Sequence, residues 1–364
     1  VGSGENDGGG AIYAAGGTLT VTGASLIEHN TADKYGGALF VDGGARAALL
    51  AGAKDNQRWA MNEARRGGAV YNDDDGDVTI VYNRFVQNEA AQNGGALYNR
   101  GEMTVEHARI QENQAPNGAG LYAAQGAGTI VDRGAHFFSN VSSSQGGGIY
   151  NDGNNFTLQN TLVYSNTAPY GAGIYLAGGT SDLIHNTFYV NVGSTQGGAV
   201  YVGDGTPTIQ GNIFDRNEAP QGSALYAASG ADADLGSNDF WPYPDGFAGV
   251  VVGATLSGES FNLYPAYKDE ATFDLHLAQG SPLIDVAQTT SPDYDMDGSP
   301  RPINLLRDVG ADEYEECLAM HNGVLYGRIG DALDVAESGD TILVAEGRCY
   351  ESLVIDKSIT LEGS

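Results

Sequence analysis

The sequence predicts an all-β protein built as a parallel β-helix, a solenoid in which short strands stack coil upon coil. Two observations predict this fold. A glycine-rich motif returns at steps of 24 to 31 residues, and from the second copy onward an asparagine precedes its aromatic residue by nine or ten residues. Strands as short as those between these marks cannot bury an apolar face alone, so each repeat must stack on the one before it. We expect about ten or more coils.

The glycine-rich motif contains a pair of glycine or other small residues, then a small residue, an aliphatic residue and an aromatic residue, as at residues 67–71. Glycine lets the chain take positive φ at a sharp corner and lets neighbouring coils approach closely. The aromatic residue of one copy is predicted to stack on that of the next. The predicted aromatic ladder consists of Tyr71, Tyr98, Tyr122, Tyr150, Tyr175, Tyr201 and Tyr226.

The asparagine that accompanies each motif is predicted to form a second ladder, in which side-chain amides hydrogen-bond along the solenoid. Its members are Asn30, Asn62, Asn88, Asn113, Asn140, Asn166, Asn191 and Asn217. Alternating runs such as residues 78–81 follow the glycine corner and predict half-buried strands. We interpret both ladders as scaffold and not as platforms for a ligand.

The paired motifs resemble the repeats of polymorphic outer-membrane proteins, which carry GGA before an aliphatic residue together with FxxN. FxxN stands intact at residues 85–88, 137–140, 188–191 and 214–217. The resemblance covers roughly residues 8–230, and we assign residues 1–230 to the repeats. It implies a right-handed, single-stranded parallel β-helix of the pectate-lyase-like superfamily, whose members include adhesins, passenger domains and carbohydrate-active enzymes.

The period breaks at about residue 231, and we assign residues 231–316 to an irregular closing segment. Its ordered motifs resemble the segment called the choice-of-anchor Q domain. They are DLHL at 274–277, SPLID at 281–285, DYDMDGSPRP at 293–302 and DVGADEY at 308–314. The resemblance implies a secreted protein at the cell surface or outside the cell.

Residues 317–364 resemble the opening cap and first coil of a β-helix, placed at the opposite end of the chain. Apolar residues at helical spacing predict a short amphipathic capping helix near residues 327–337. We expect this segment to cap the open end of a next or neighbouring β-helix. The predicted polymer contacts are Ile342, Val344, Val354, Ile355, Ile359 and Leu361. A tandem protein, a self-polymerising subunit and an ordinary truncation all stay open as explanations.

The charge balance excludes several classes of partner. Forty-six acidic and 17 basic residues give a net charge of −29, which repels nucleic acid and anionic lipid surfaces. No apolar run approaches the length of about 20 residues that a membrane-spanning helix needs, so we expect no membrane insertion. Such a surface suits a salty or calcium-rich exterior, although solubility alone explains it equally well.

Asp293, Asp295 and Asp297 alternate before Gly298, as carboxylates do in the first half of a calcium loop. The sequence predicts a calcium site there, to be completed by Asp308, Asp312 or Glu313. The alternative is an acidic turn held by Arg301 and backbone amides. Cys317 and Cys349 can form one disulfide in an oxidising compartment.

Enzymatic chemistry finds little support in the residue pattern. The six histidines are scattered without a metal or triad spacing, and no repeat gathers acids and aromatics. We therefore predict a structural or adhesive β-helix, not an enzyme, that stacks head to tail with copies of itself and could contact surface glycans. The alternative is a secreted β-helix that binds or cleaves polysaccharide, for which the aromatic stretch 240–244 is a candidate sugar contact.

Overall fold

The computed structural model describes residues 8–52, 57–153, 156–241, 250–256, 259–303, 306–314, 318–326, 329–345 and 353–363. The chain divides into two compact units. The solenoid unit comprises residues 1–277 and 281–313, and the C-terminal unit comprises residues 278–280 and 314–364.

Four parallel sheets run along the solenoid unit, and each coil contributes to them in the order sheet 1, sheet 2, sheet 3, sheet 4. Sheet 1 contains ten strands: Ile12–Ala15, Leu39–Asp42, Val70–Asn72, Leu97–Asn99, Leu121–Ala123, Ile149–Asn151, Ile174–Leu176, Val200–Val202, Leu225–Ala227 and Val251–Val252. Sheet 2 also contains ten: Thr18–Thr22, Arg46–Leu50, Asp77–Val81, Glu102–Glu106, Gly128–Asp132, Phe156–Gln159, Ser181–Ile184, Thr208–Gln210, Asp234–Gly236 and Thr255–Leu256.

The other two sheets are smaller. Sheet 3 contains nine strands: Leu26–Glu28, Arg58–Ala60, Arg84–Val86, Arg109–Gln111, His136–Phe138, Leu162–Tyr164, Thr187–Tyr189, Ile213–Asp215 and Asp239–Trp241. Sheet 4 contains six: Glu63–Arg66, Glu89–Asn93, Gln114–Asn117, Val141–Gln145, Thr167–Tyr170 and Val192–Gln196. An antiparallel pair, Tyr267–Asp269 and Asp274–Leu277, flanks a short 3₁₀ helix, Glu270–Thr272.

The strands pair in register, so equivalent residues of successive coils lie side by side. Leu97, for example, pairs with Val70 on one side and with Leu121 on the other. The predicted parallel solenoid with very little helix is therefore confirmed. It makes about nine turns, fewer than expected. Its coils nevertheless continue past residue 230, to Thr255–Leu256 in sheet 2.

The core is a set of apolar columns that point inward from the sheets. The widest column belongs to sheet 3 and contains Ile27, Trp59, Phe85, Ile110, Phe137, Val163, Phe188, Phe214 and Phe240. Phe214 stacks between Phe188 and Phe240, with ring centroids 5.0 and 5.1 Å away. The residue at the phenylalanine position of the predicted FxxN motif therefore points inward in each of the nine strands of sheet 3, and Trp59 is the bulkiest of these residues.

The glycine corner that leads into sheet 1 brings adjacent coils into close backbone contact. Gly67 takes a φ of +62°, which favours glycine. A Cβ atom on the next residue, Gly68, would lie only 2.1 Å from the carbonyl oxygen of Gly95 in the following coil. The second glycine is therefore required by the approach of the coils and not by its own φ.

A left-handed residue turns the chain between sheet 3 and sheet 4. It stands directly before each ladder asparagine and has φ between 47° and 56°. The residues are His29, Met61, Gln87, Glu112, Ser139, Ser165, Val190 and Arg216. Because this conformation sharply redirects the backbone, the following asparagine points into the coil and is buried or partly buried.

The C-terminal unit contains a four-stranded sheet and one α-helix. The strands lie in the order Val324–Tyr326, Ala319–His321, Thr341–Val344, Thr360–Gly363, and only the last pair is parallel. The helix spans Ile329–Val335, which confirms the helix predicted near residues 327–337. Within the described ranges, no helix is both long enough and apolar enough to cross a membrane.

Candidate functional site

The ladder asparagines form one continuous hydrogen-bonded column. In each step, the backbone N–H and the side-chain Nδ2 of one asparagine both donate to Oδ1 of the asparagine in the next coil, at 2.9 to 3.1 Å. Nδ2 also donates to a carbonyl of the preceding coil, as Asn140 does to Ile110 at 2.9 Å. Each interior amide thus uses both donors and accepts twice at its oxygen, which leaves little capacity for a ligand.

The tyrosines stack on the outer side of sheet 1. From Tyr71 to Tyr226 the ring centroids of successive tyrosines lie 4.7 to 5.3 Å apart, and the rings are tilted by 3° to 18°. Tyr71, Tyr98 and Tyr122 are buried, whereas the rings from Tyr150 onward are partly exposed. Because each interior ring face already rests on a neighbour, the column offers its edges and hydroxyl groups and not its faces.

Two further polar columns lie at corners that sequence reasoning did not single out. Asn186, Asn212 and Asn238 repeat the same pair of hydrogen bonds at the corner between sheets 2 and 3, with Nδ2 to Oδ1 distances of 3.0 Å. Asn72 donates to Asn99 at 2.8 Å in the corner between sheets 1 and 2. These asparagines also recur in the sequence, but in fewer coils than the ladder asparagines do.

The acidic turn at residues 72–77 is held by an arginine of the next coil. Arg100 contacts Asp73 through Nη1 and Asp74 through Nη2, each at 2.8 Å. These contacts pair two of the aspartates of a surface turn with one arginine.

The predicted calcium loop folds into the closing segment, where Asp295 acts as the centre of a tight turn. Asp295 is buried, and Oδ1 accepts the backbone N–H groups of Asp297 and Ser299 at 2.9 and 2.8 Å. Oδ2 accepts the N–H of Glu313 at 3.1 Å. Both oxygens of Asp295 are therefore engaged by the backbone.

The other two aspartates of the loop point to different partners. The side chain of Asp293 is largely exposed and contacts Nη2 of Arg307 at 3.1 Å. Asp297 instead contacts Nε2 of His276 at 2.7 Å. Within the described ranges, the three aspartates do not form one group of converging ligands, and calcium at this loop stays a prediction.

A buried arginine joins this turn to the solenoid. Arg301 is 4% exposed and contacts Oε2 of Glu313 at 3.2 Å and Nδ1 of His185 at 3.1 Å through Nη1. It also donates to the carbonyl oxygens of Asp308 and Gly310. Burial lowers the pKa of Arg301, while Glu313 opposes that shift. These contacts suit an anchor within the fold.

His276 lies among three carboxylates. Its Nδ1 contacts Asp274, and its Nε2 contacts Asp297. One ligand atom each of His276, Asp297 and Asp312 lies within 4.8 Å of the other two. Burial disfavours the charged imidazolium, but the hydrogen bond to Asp297, the charge of Asp312 and the hydrogen bond to Asp274 outweigh it and raise the pKa to about 9. We call His276, Asp297 and Asp312 the His–Asp cluster.

A second acidic pair is buried at the end of sheet 3. Asp215 and Asp239 are both fully buried, and desolvation raises the pKa of each to about 7. Asp239 accepts the N–H of Leu263 at 2.9 Å, and Arg216 Nε lies 3.4 Å from Asp215. Burial on this scale argues against direct contact with a polymeric substrate.

The predicted polymer contacts divide between the core and the surface of the C-terminal unit. Ile342 is fully buried, and Val344 and Ile359 pack against the same small core. Leu361, Ile355 and Val354 are 40%, 50% and 85% exposed. Cys317 and Cys349 lie outside the described residues, and so does the aromatic stretch from residue 242 onward.

Comparison with protein families gives a match within the solenoid unit. Residues 66–240 match the family model described as "Right handed beta helix region". The solenoid is a right-handed β-helix. β-Helices of this kind include pectate-lyase-like enzymes and proteins that are not enzymes, so the fold alone does not decide the activity. Comparison with curated proteins found no match, and comparison with solved structures found none either.

Proposed function

We propose that this protein is an extracellular structural β-helix that stacks head to tail with further copies of itself. Open strand edges in both units carry the proposal. An unpaired edge presents backbone donors and acceptors that another strand can satisfy, so it favours association unless it is covered. A filament of stacked solenoids would continue the parallel pairing that already joins one coil to the next.

The first open edge belongs to the first described coil of the solenoid unit. Its strands Ile12–Ala15, Thr18–Thr22 and Leu26–Glu28 begin sheets 1, 2 and 3, and in the described ranges each pairs on one side alone. Its inward apolar residues are only partly buried. Leu26 is 59% exposed and Tyr13 is 39% exposed. A further coil on this end would bury that surface.

The second open edge is the strand Thr360–Gly363 of the C-terminal unit. Its partner Thr341–Val344 pairs with it in parallel, as successive coils of the solenoid do. All four residues of Thr360–Gly363 are exposed, and in the described ranges its other edge has no strand partner. The strand starts with Thr-Leu, as does Thr18–Thr22 in the first coil. The parallel pairing and the Thr-Leu start support the proposal that a coil of another copy extends this strand.

Charged substitutions at the two edges test the proposal. In analytical ultracentrifugation, the full chain is expected to form large assemblies, and Leu361→Lys and Leu26→Lys are each expected to shift it to monomers. Val335→Lys and Val141→Lys are matched controls, because these valines are 53% and 48% exposed but lie away from the two edges. A monomeric wild-type chain, or assemblies unaffected by the edge variants, would contradict the proposal.

A shallow depression favours glycan binding as a second candidate function. It has a volume of about 460 Å³ on the outer side of sheet 4 and its approach, lined by Asp33, Glu63, Arg65 and Gln92 among others. Polar side chains with one cation suit the hydroxyl groups of a sugar. Binding of the monomer to a neutral polysaccharide, lost in Arg65→Ala with Gln92→Ala, would favour this function over assembly.

A further inference from the structure

The His–Asp cluster combines three potential metal ligands from three separate segments. His276 lies in the strand Asp274–Leu277, Asp297 in the turn after Asp295, and Asp312 near the end of the closing segment. One ligand atom from each lies within 4.8 Å of the other two. A single ion bonded to its ligands at about 2.0–2.2 Å holds any two of them at most about 4.4 Å apart, so the three side chains move slightly closer together when they bind it.

We propose that the His–Asp cluster binds a first-row transition-metal dication, for which Zn²⁺ is the representative. The imidazole nitrogen decides the class of metal. Calcium and magnesium prefer oxygen ligands alone, whereas imidazole together with carboxylates suits zinc and its neighbours. Three protein ligands leave a coordination position for water, as in open zinc sites.

Asp274 holds the histidine in the orientation that such a site needs. Its Oδ1 contacts Nδ1 of His276, which directs Nε2 toward Asp297. A carboxylate on the far nitrogen of a histidine ligand fixes the ring and increases its basicity toward the metal. Asp274 is therefore a positioning residue in the proposed site and not a ligand.

Asp312 supplies a carboxylate that the surrounding protein only partly satisfies. It is 6% exposed, and among the described residues its hydrogen bond is the one that Oδ2 accepts from the N–H of Leu277 at 2.7 Å. A buried carboxylate with spare acceptor capacity favours a cation beside it.

The local charge also favours a dication. Asp274, Asp297 and Asp312 bring three carboxyl groups to one imidazole. This arrangement could not be predicted from the sequence, because 35 residues lie between His276 and Asp312.

Cobalt spectroscopy on the chelator-treated full chain tests the site. Titration with Co²⁺ is expected to give visible absorption that saturates at one ion per chain, and Zn²⁺ is expected to abolish that absorption. His276→Gln and Asp312→Asn are each expected to weaken Co²⁺ binding at least about tenfold, as is Asp274→Asn. Circular dichroism shows whether each variant is folded, and the more exposed Asp297→Asn replaces any that is not.

The C-terminal unit offers a matched control. His321 Nε2 lies 2.8 Å from Asp340 Oδ2, so it forms a similar histidine–aspartate pair, but in the described ranges this pair has no third ligand. His321→Gln is expected to leave Co²⁺ binding unchanged. Absence of saturable binding, binding unaffected by His276→Gln, or displacement of Co²⁺ by an equal concentration of Ca²⁺ would overturn the proposal.

Discussion

Asn140 and Asn166 are joined by two hydrogen bonds to a single atom. The Nδ2 and the backbone N–H of Asn140 donate to Oδ1 of Asn166, at 3.0 and 3.1 Å. The same pair of hydrogen bonds joins the ladder asparagines from Asn30 to Asn217, so the column satisfies its own polar groups inside the solenoid. It explains why one residue type recurs at this corner.

Removing one amide from this column should destabilise the solenoid strongly. Asn140→Ala leaves both donors of Asn113 without the acceptor that they now share. Because buried unpaired donors cost about 1–3 kcal/mol each, we expect a loss of about 3 kcal/mol in the free energy of unfolding. Urea denaturation measures it. Asn117→Ala is the control, since its bond to Asn93 is only partly buried, and a similar loss there would contradict the explanation.

Replacing Val190 should stabilise the protein. Val190 has a φ of 47°, a conformation that β-branched residues avoid and asparagine tolerates. We expect Val190→Asn to raise the free energy of unfolding by about 1 kcal/mol. Val192→Asn is the matched control, because Val192 lies in an extended strand and is 42% exposed. A gain in the control, or a loss at Val190, would show that the backbone conformation is not the cause.

The free energy of unfolding should decrease as the pH rises, because Asp239 is buried. Burial raises its pKa from 3.8 to about 7, so between these values the folded chain binds more protons than the unfolded chain. The destabilisation caused by ionising this buried carboxyl is nearly absent at pH 3.5 and almost fully present at pH 8. We expect Asp239→Asn, which keeps an acceptor for Leu263, to stabilise the protein by about 1–3 kcal/mol at pH 8. Thermal melts at both pH values measure it, and an equal gain at pH 3.5 would contradict the explanation.

Arg301 should be essential for docking the closing segment. Arg301→Met leaves Glu313 buried without its cation, which costs about 3–5 kcal/mol. Limited proteolysis should therefore cleave the closing segment faster in this variant. Adding Glu313→Gln should restore much of the resistance. Arg46→Met, which removes an exposed ion pair, should cleave like the wild type. Equal protection in all four chains would contradict the role of Arg301.

The sequence was most informative where one structural unit repeats. Each coil places its inward column, its left-handed corner and its ladder asparagine at nearly the same spacing, so residues such as Phe137 and Asn140 predicted the fold by recurrence. Trp59 escaped the FxxN pattern because a different aromatic residue fills that coil. Its register with Phe85 identifies it only once the strands are paired.

The candidate metal site could not be predicted in the same way. Asp293, Asp295 and Asp297 look equivalent in sequence, but the turn directs them to an arginine, to backbone amides and to His276. A local spacing does not determine which carboxylates converge, because the closing segment folds back on itself. The partners of His276 are set by that folding and not by a short motif.

Electron microscopy of the protein, combined with the intact mass of the denatured chain from the same sample, tests head-to-tail assembly directly. Head-to-tail stacking predicts fibres with an axial repeat of at least about 43 Å, given about nine turns spaced about 4.8 Å apart. Chains near 37.9 kDa in such fibres would identify a self-assembling subunit, and much heavier chains would identify covalent tandem copies. Dispersed single rods at every concentration examined would contradict end-to-end assembly.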